Sequence, residues 1–177
     1  LSKNFSLTIN KLLVFINTEN DISKINEFLK TQNISANFVI ASKNYSKDNN
    51  RSIYYISIDI VRDYIELLKD LKKTDCLPDH IVYLWTINNE IKGIDSQLSF
   101  SVYSLYHLLQ AYKNINQKIC SNIIFTYSQA EGNNIYDTLS SLSKSLALII
   151  PGTILKVVNF SNLDFNNSGH LQSLLQE

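Results

Sequence analysis

The 177-residue sequence contains no methionine, four glycines, two prolines and two cysteines. Each scarcity excludes something. Cys76 and Cys120 make no disulfide framework, which rules out the small secreted domains held together by such bridges. The glycines, at positions 93, 132, 152 and 169, belong to no GxGxxG or Walker pattern, so no phosphate-cradling loop is visible. Neither sign of charge is in excess, with 16 Lys and Arg against 16 Asp and Glu, and nucleic acid and anionic membrane are therefore not expected partners. No apolar run approaches the ~20 residues of a membrane span. No basic-then-apolar leader opens the sequence, so a cytoplasmic location is expected. Without a leader, the Asn-x-Ser triplets at Asn4, Asn33, Asn44, Asn50, Asn159 and Asn166 read as compositional rather than as glycosylation sites. A chain that opens at Leu1 and lacks methionine throughout is expected to be cut from a longer polypeptide.

What is present is an ordinary globular composition, 45% hydrophobic and 18% charged, long enough to bury a real core. One domain over residues 1–177 is expected, with linker-like ends at 1–10 and 168–177. Short apolar runs recur at residues 12–16 (LLVFI), 37–41 (NFVIA), 53–58 (IYYISI), 81–85 (IVYLW), 123–127 (IIFTY) and 154–158 (ILKVV). Most are uninterrupted rather than alternating, as for strands covered on both faces; IYYISI suits an edge. Helical stripes lie between them. Ile22, Ile25 and Leu29 follow an N-cap at Asn20 or Asp21. Val61, Tyr64, Ile65, Leu68 and Leu71 form a second stripe, and Leu105, Leu108, Leu109 and Tyr112 a third that starts near Ser99. Ile135, Leu139, Leu142, Leu146 and Ile149 form a fourth, stopped by Pro151 and Gly152. Residues 171–175 read as a last short helix, while 43–51 and 88–97 read as surface loops. Strand–helix alternation of this kind predicts an α/β fold with a doubly wound, mainly parallel sheet of Rossmann type.

A Rossmann-type sheet raises the question of a nucleotide. Dinucleotide binding needs glycines after the first strand, so that the pyrophosphate can approach the helix N-terminus. Here LLVFI is followed by Asn17-Thr18-Glu19-Asn20-Asp21, with no glycine and two carboxylates where a diphosphate would sit. The fourth helix holds Tyr136, several serines and Lys144, the side-chain types that carry proton transfer in short-chain reductases. There, Tyr and Lys stand four residues apart on one helix face, and the lysine lowers the tyrosine pKa. Four residues beyond Tyr136 is Ser140; Lys144 is two turns on, roughly 12 Å along the axis. The spacing excludes direct coupling. Cys76 and His80 have no second ligand pair at zinc-like spacing. His107 reads as a packed helix residue and His170 as lying near a frayed end, with no Gly-x-Ser-x-Gly elbow beside either. Asp59 and Asp63 flank the second helix start, where negative charge suits the dipole, and Trp85 reads as core. Receiver-type signalling needs an acidic cluster and a phosphoacceptor Asp, whereas the central strands end in Thr86 and Ser128. No catalytic, cofactor-binding or metal-binding residue is assigned.

Three stretches, SIYYISIDIVRDYIELLKDL (52–71), LPDHIVYLWTI (77–87) and YDTLSSLSKSLALIIPGTILKVVNF (136–160), taken in order and spacing, resemble the N-terminal half of ketoreductase domains in modular polyketide synthases. In that family a strand leads into a helix with an acidic start and an acid–aromatic pair, matched by Asp59 and by Asp63-Tyr64. The Leu-Pro-Asp-x-Ile-Val-x-Leu-Trp strand is matched by Leu77 to Trp85, and the later Leu-Ala-Leu-Glu-x-Pro helix end by Leu146 to Pro151. Ile149 stands where the family often has an acid. The resemblance spans roughly residues 11–175. It implies a truncated, cofactor-free Rossmann subdomain of short-chain-reductase type with a structural role. NADPH would then bind a separate catalytic half, which reduces a β-ketoacyl group held on an acyl carrier protein. The expected partners are that catalytic subdomain or neighbouring synthase domains, a methyltransferase or acyl carrier protein among them. The rival expectations are a stand-alone or methyltransferase-associated pseudo-ketoreductase with an architectural role, and a small nucleotide-binding enzyme with an unorthodox site.

Overall fold

The computed structural model describes residues 9–87, 91, 93–119, 122–128, 139–145, 150, 152–160, 165 and 167–176. Along the chain run β1 (Lys11–Phe15), α1 (Glu19–Thr31), β2 (Ser35–Ala41), β3 (Ser46–Asp48), β4 (Ile53–Ile56), α2 (Val61–Lys73) and β5 (His80–Thr86). They are followed by α3 (Ile94–Leu98), a π-helical turn (Ser99–Tyr103), α4 (Ser104–Asn114) and β6 (Asn122–Tyr127). Helical residues 139–145 (α5), β7 (Ile154–Asn159) and α6 (Ser168–Gln176) complete the described part. The sheet has seven strands in the order β3-β4-β2-β1-β5-β6-β7. All neighbours pair in parallel except β3 with β4. The strand order turns back at β1, with β2 on one side and β5 on the other. This is the expected Rossmann-like α/β architecture.

Alternation within each apolar run sends side chains into two separate cores. Leu13, Phe15, Ile81, Tyr83 and Trp85 point to one face, where α2 and α4 contribute Tyr64, Leu67, Leu68, Leu71, Leu105, Leu108 and Tyr112. Leu12, Val14, Val82 and Leu84 point to the other, covered by Ile22, Ile25 and Leu29 of α1 and Leu171 and Leu174 of α6. Burial on both faces is why the runs are uninterrupted. Between β5 and β6 the register shifts between Tyr83 and Thr86. Side-chain hydroxyls bridge the irregularity: Thr126 Oγ1 donates to the Tyr83 carbonyl at 2.6 Å, and Thr86 Oγ1 to the Thr126 carbonyl.

A glycine-poor chain must end its helices by other means. After α1, α2 and α4, Asn33, Asp75 and Asn116 adopt left-handed φ values of 57°, 53° and 51°. Each sits in a paired closing motif. The amides of Ile34, Cys76 and Gln117 donate back to Leu29, Leu71 and Tyr112 at 3.0, 2.7 and 3.2 Å, and the preceding amide to Lys30, Lys72 and Lys113. Asn and Asp tolerate this conformation better than other non-glycine residues.

Several expectations need correction. α1 starts at Glu19 behind an extended Thr18, not behind Asn20 or Asp21, because Thr18 Oγ1 bonds Asp21 Oδ2 at 2.7 Å and leaves Asn20 inside the helix. Residues 43–51 are not wholly loop: β3 forms there and takes the edge, so residues 53–56 are an interior strand. Its anchors are tertiary, with Tyr45 Oη donating to Asp70 Oδ2 at 3.1 Å and Lys47 Nζ 4.9 Å from the Tyr54 ring centroid. α3 begins inside the 88–97 stretch and continues through the π-helical turn into α4, so the third helical stretch begins at Ile94 rather than near Ser99. The C-terminal segment expected to be linker-like is α6, held by buried Leu171 and Leu174. Of the expected fourth helix, Tyr136, Leu146, Ile149 and Pro151 lie outside the described residues, as does most of the 1–10 segment.

Replacing Asn116 with Ala should lower unfolding free energy in urea by up to about 1 kcal/mol, because Ala lacks the short polar side chain that lets Asn adopt the left-handed region, while Asn116→Gly, which removes the Cβ, should hold or raise it. Leu171→Ala should cost about 2–5 kcal/mol, as a core truncation rather than a linker change.

Candidate functional site

In a doubly wound sheet, ligands bind beyond the carboxyl ends of the strands where the order reverses. In this protein the strand order reverses between β1 and β5, and hydrogen bonds from described side chains cross that point. Asn17 Nδ2 donates to the Trp85 carbonyl at 2.9 Å, and Trp85 Nε1 donates to the Ile16 carbonyl at 3.1 Å. The two bonds tie the loop after β1 to the end of β5. Trp85 is wholly buried. Its ring meets Phe15 edge-on at 4.8 Å and Phe100 of the π-helical turn at 5.6 Å, while Phe15 stacks on Tyr83 at 4.3 Å. Rings in these arrangements add to the burial of their own area.

The N-terminus of α1, where a pyrophosphate would approach, is met by the chain's own carboxylates. Glu19 accepts from Arg51 Nη1 at 2.7 Å and from Tyr55 Oη at 2.6 Å. The bond to Glu19, ahead of burial, raises the Tyr55 pKa above its ordinary value. Asp21 shares the first turn. A phosphate would face like charge here, without the glycines that let backbone amides reach it.

The other sequence candidates serve the framework. Asp63, the third residue of α2, reaches back to accept the Ser57 amide at 2.8 Å. Tyr64 Oη donates to the Ile58 carbonyl at 3.1 Å, and His107 Nδ1 lies 3.0 Å from that same oxygen. Three side chains from two helices thus hold the loop between β4 and α2, and exposed Asp59 sits within it. His80 is buried at the amino end of β5, between Asp79 Oδ1 at 3.1 Å and Asn122 Nδ2 at 2.8 Å. Asp79 also takes the amides of Asn10 and Lys11, each at 3.1 Å. This cluster joins β1, β5 and β6 at the end of the sheet opposite the crevice. Cys76 Sγ lies 3.3 Å from the Thr74 carbonyl, and no group of three metal-ligating residues occurs among the described residues. Ser140 and Lys144 are exposed on α5, and Tyr136 lies outside the described residues. Glu19 was legible in the sequence, but its partners Arg51 and Tyr55 were not, nor were Tyr45 and Asp70; nothing in their spacing marks them. No helix among the described residues is long and apolar enough to cross a membrane.

A family model described as beta-ketoacyl synthase-like, N-terminal, matches residues 10–177. No curated protein matches the chain. Among solved structures, an N-terminal ketoreductase from the macrolactin assembly line superposes with a TM-score of 0.80 at 20% identity, over 99% of this chain and 38% of that one. An adenylation, ketoreductase and pseudo-Asub multidomain structure of a keto acid-selecting NRPS module gives 0.71 at 16% identity, over 93% of this chain and 14% of that one. A short-chain dehydrogenase/reductase from Serratia marcescens gives 0.58 at 13% identity, over 94% and 88%. This chain therefore spans well under half of the two ketoreductase-containing structures. The likeness to all three is one of fold.

Burial, ahead of the neighbouring Asp70, pushes the Tyr45 phenol well above its ordinary range; burial, ahead of Asp59 and Asp63, does the same for Tyr64. A phenol whose folded pKa is raised binds its proton more tightly in the native state than in the unfolded one. Its contribution is complete below the unfolded value near 10 and is lost as pH rises beyond it. Thermal midpoints should hold up to about pH 10 and then fall, with ultraviolet titration showing tyrosines that ionise only as the fold opens. Tyr64→Phe should flatten part of that fall.

Proposed function

The chain belongs to the beta-ketoacyl synthase-like, N-terminal family, and on that premise we propose that it is the structural subdomain of a polyketide synthase ketoreductase. In this reading it performs no chemistry. It scaffolds a separate catalytic half that binds NADPH and reduces a β-ketoacyl group carried on an acyl carrier protein, in the cytoplasm. The observation that carries the reading is the cross-linked switch point. A sheet of the architecture that ordinarily receives a dinucleotide has Trp85 bonded across its switch point and Glu19 and Asp21 at the helix start.

The physical contribution of such a subdomain is rigidity. Both faces of the sheet are occupied by the chain's own helices. The molecule offers neighbours a fixed outer surface rather than a mobile cleft, and a catalytic half seated on it is held in one orientation. Positioning of this kind acts on reaction rate only through the geometry of the partner's site.

Calorimetric titration of the purified chain with NADPH should show no saturable heat up to about millimolar concentration. Saturable binding in the micromolar range would overturn the scaffold role and favour a nucleotide-binding enzyme. In a ketoreductase carrying both halves, the chain's removal should abolish or destabilise reduction of a β-ketoacyl thioester, whereas Lys144→Ala should leave turnover unchanged.

A further inference from the structure

Strands β2 and β4 are parallel neighbours, yet no helix forms the crossover between them. β3 lies there instead, antiparallel to β4 and at the edge of the sheet. The ladder shows what β3 covers. The Ser52 and Ile56 carbonyls accept from amides on the β2 side, those of Phe38 at 2.9 Å and Ser42 at 2.8 Å. Backbone groups alternate sides along a strand, so the amides and carbonyls of Ile53 and Tyr55 point away from β2. Asp48 and Ser46 stand opposite those two residues. β3 therefore satisfies the outward groups of β4 and takes the edge itself, with Ser-Lys-Asp.

This exchange of edges changes what another chain would meet. Ile53-Tyr54-Tyr55-Ile56 carries no charge and is β-branched or aromatic throughout, the kind of segment that pairs with a copy of itself. A short edge bearing Lys and Asp resists such pairing. Two bare β4 edges could meet antiparallel about a twofold axis at Tyr54, with Ile53 of each copy opposite Tyr55 of the other. That arrangement reproduces both hydrogen-bonded pairs that β3 supplies. β3 and a second copy thus compete for the same backbone groups.

What holds β3 in place is polar, and much of it gathers on one residue. No apolar side chain belongs to Ser46–Asp48. On the face that packs against α2, Tyr45 Oη donates to Asp70 Oδ2 at 3.1 Å. Lys47 Nζ lies 4.0 Å from that same oxygen and 4.9 Å from the Tyr54 ring centroid. At the turn into β4, the exposed Arg51 pairs with Asp48 at 3.6 Å and with Glu19 at 2.7 Å. A segment with few apolar contacts and water-reachable tethers opens before the rest of the fold does. We infer that residues 43–51 form a strap, latched by Asp70, that keeps the β4 edge from pairing with the β4 edge of a second copy.

Amide hydrogen exchange of the full chain, followed residue by residue by NMR, reads the strap directly. The Ile53 and Tyr55 amides, which face β3, should exchange about tenfold or more faster than those of Tyr54 and Ile56, which face β2. Asp70→Ala removes the latch. It should speed Ile53 and Tyr55 by a further factor of roughly ten to a hundred, for a lost hydrogen bond to a charged group, and leave Tyr54 and Ile56 nearly unchanged. Tyr45→Phe, which keeps the ring, should act in the same direction more weakly. Lys69→Ala breaks only the exposed pair with Glu66 on the same helix and should alter neither set. In sedimentation velocity, Asp70→Ala should add a concentration-dependent dimer absent from the unaltered chain. Cross-copy contacts in a mixed-isotope sample of that dimer should centre on Tyr54. Circular dichroism checks that each variant is folded. Equal exchange on the two sides of β4, a released strap without an added dimer, or an added dimer whose contacts lie elsewhere would overturn the proposal.

Discussion

Strands β1 and β5 have no side that faces water. Leu13 and Phe15 with Ile81, Tyr83 and Trp85 line one face of this central pair, and Leu12 and Val14 with Val82 and Leu84 line the other. Burying a side chain of this size stabilises by about 1.5–3 kcal/mol, which is realised only when something covers it. Two layers of helix are therefore obligatory. Parallel pairing demands crossovers long enough to contain them, and the chain supplies α1 and α6 on one face and α2 and α4 on the other. The antiparallel β3, the short α3 and the π-helical turn are additions at the periphery of that requirement.

The same central pair decides what the crevice can do. In a nucleotide-binding sheet the loop after the first strand stays small and its amides stay free. Here Asn17 and Trp85 spend their polar groups on each other's strands, and the indole takes up space beyond Phe15. Glu19 settles the positive end of α1 with Arg51 and Tyr55 as its own partners. Residues that would solvate a ligand elsewhere act as internal cross-links. That substitution of cohesion for binding is the physical content of the scaffold role proposed above.

Much of this was legible beforehand. The apolar runs marked six of the seven strands, and the periodic stripes marked α1, α2 and α4, because burial on two faces and on one stripe leave different periods in a sequence. The missing glycines and the paired carboxylates after β1 already argued against a diphosphate. Short polar elements were not legible. β3 is a strand because Tyr45 reaches Asp70 and Lys47 covers Tyr54, contacts that no local pattern announces. The last helix was legible over residues 171–175, but not that two of its leucines are held by partners in the first half of the chain.

What the sequence determined by itself was the sheet's identity and the lack of a glycine-rich motif after β1, since both depend on residue types and short-range spacing. The bonds across the β1–β5 switch point and the convergence of Asp63, Tyr64 and His107 on one loop were decided only by the tertiary structure. Trp85 and Ile16 are 69 residues apart, and His107 and Ile58 are separated by 49. Hydrogen bonds and apolar contact act over a few ångströms, so their effect exists only once the sheet has brought those segments side by side.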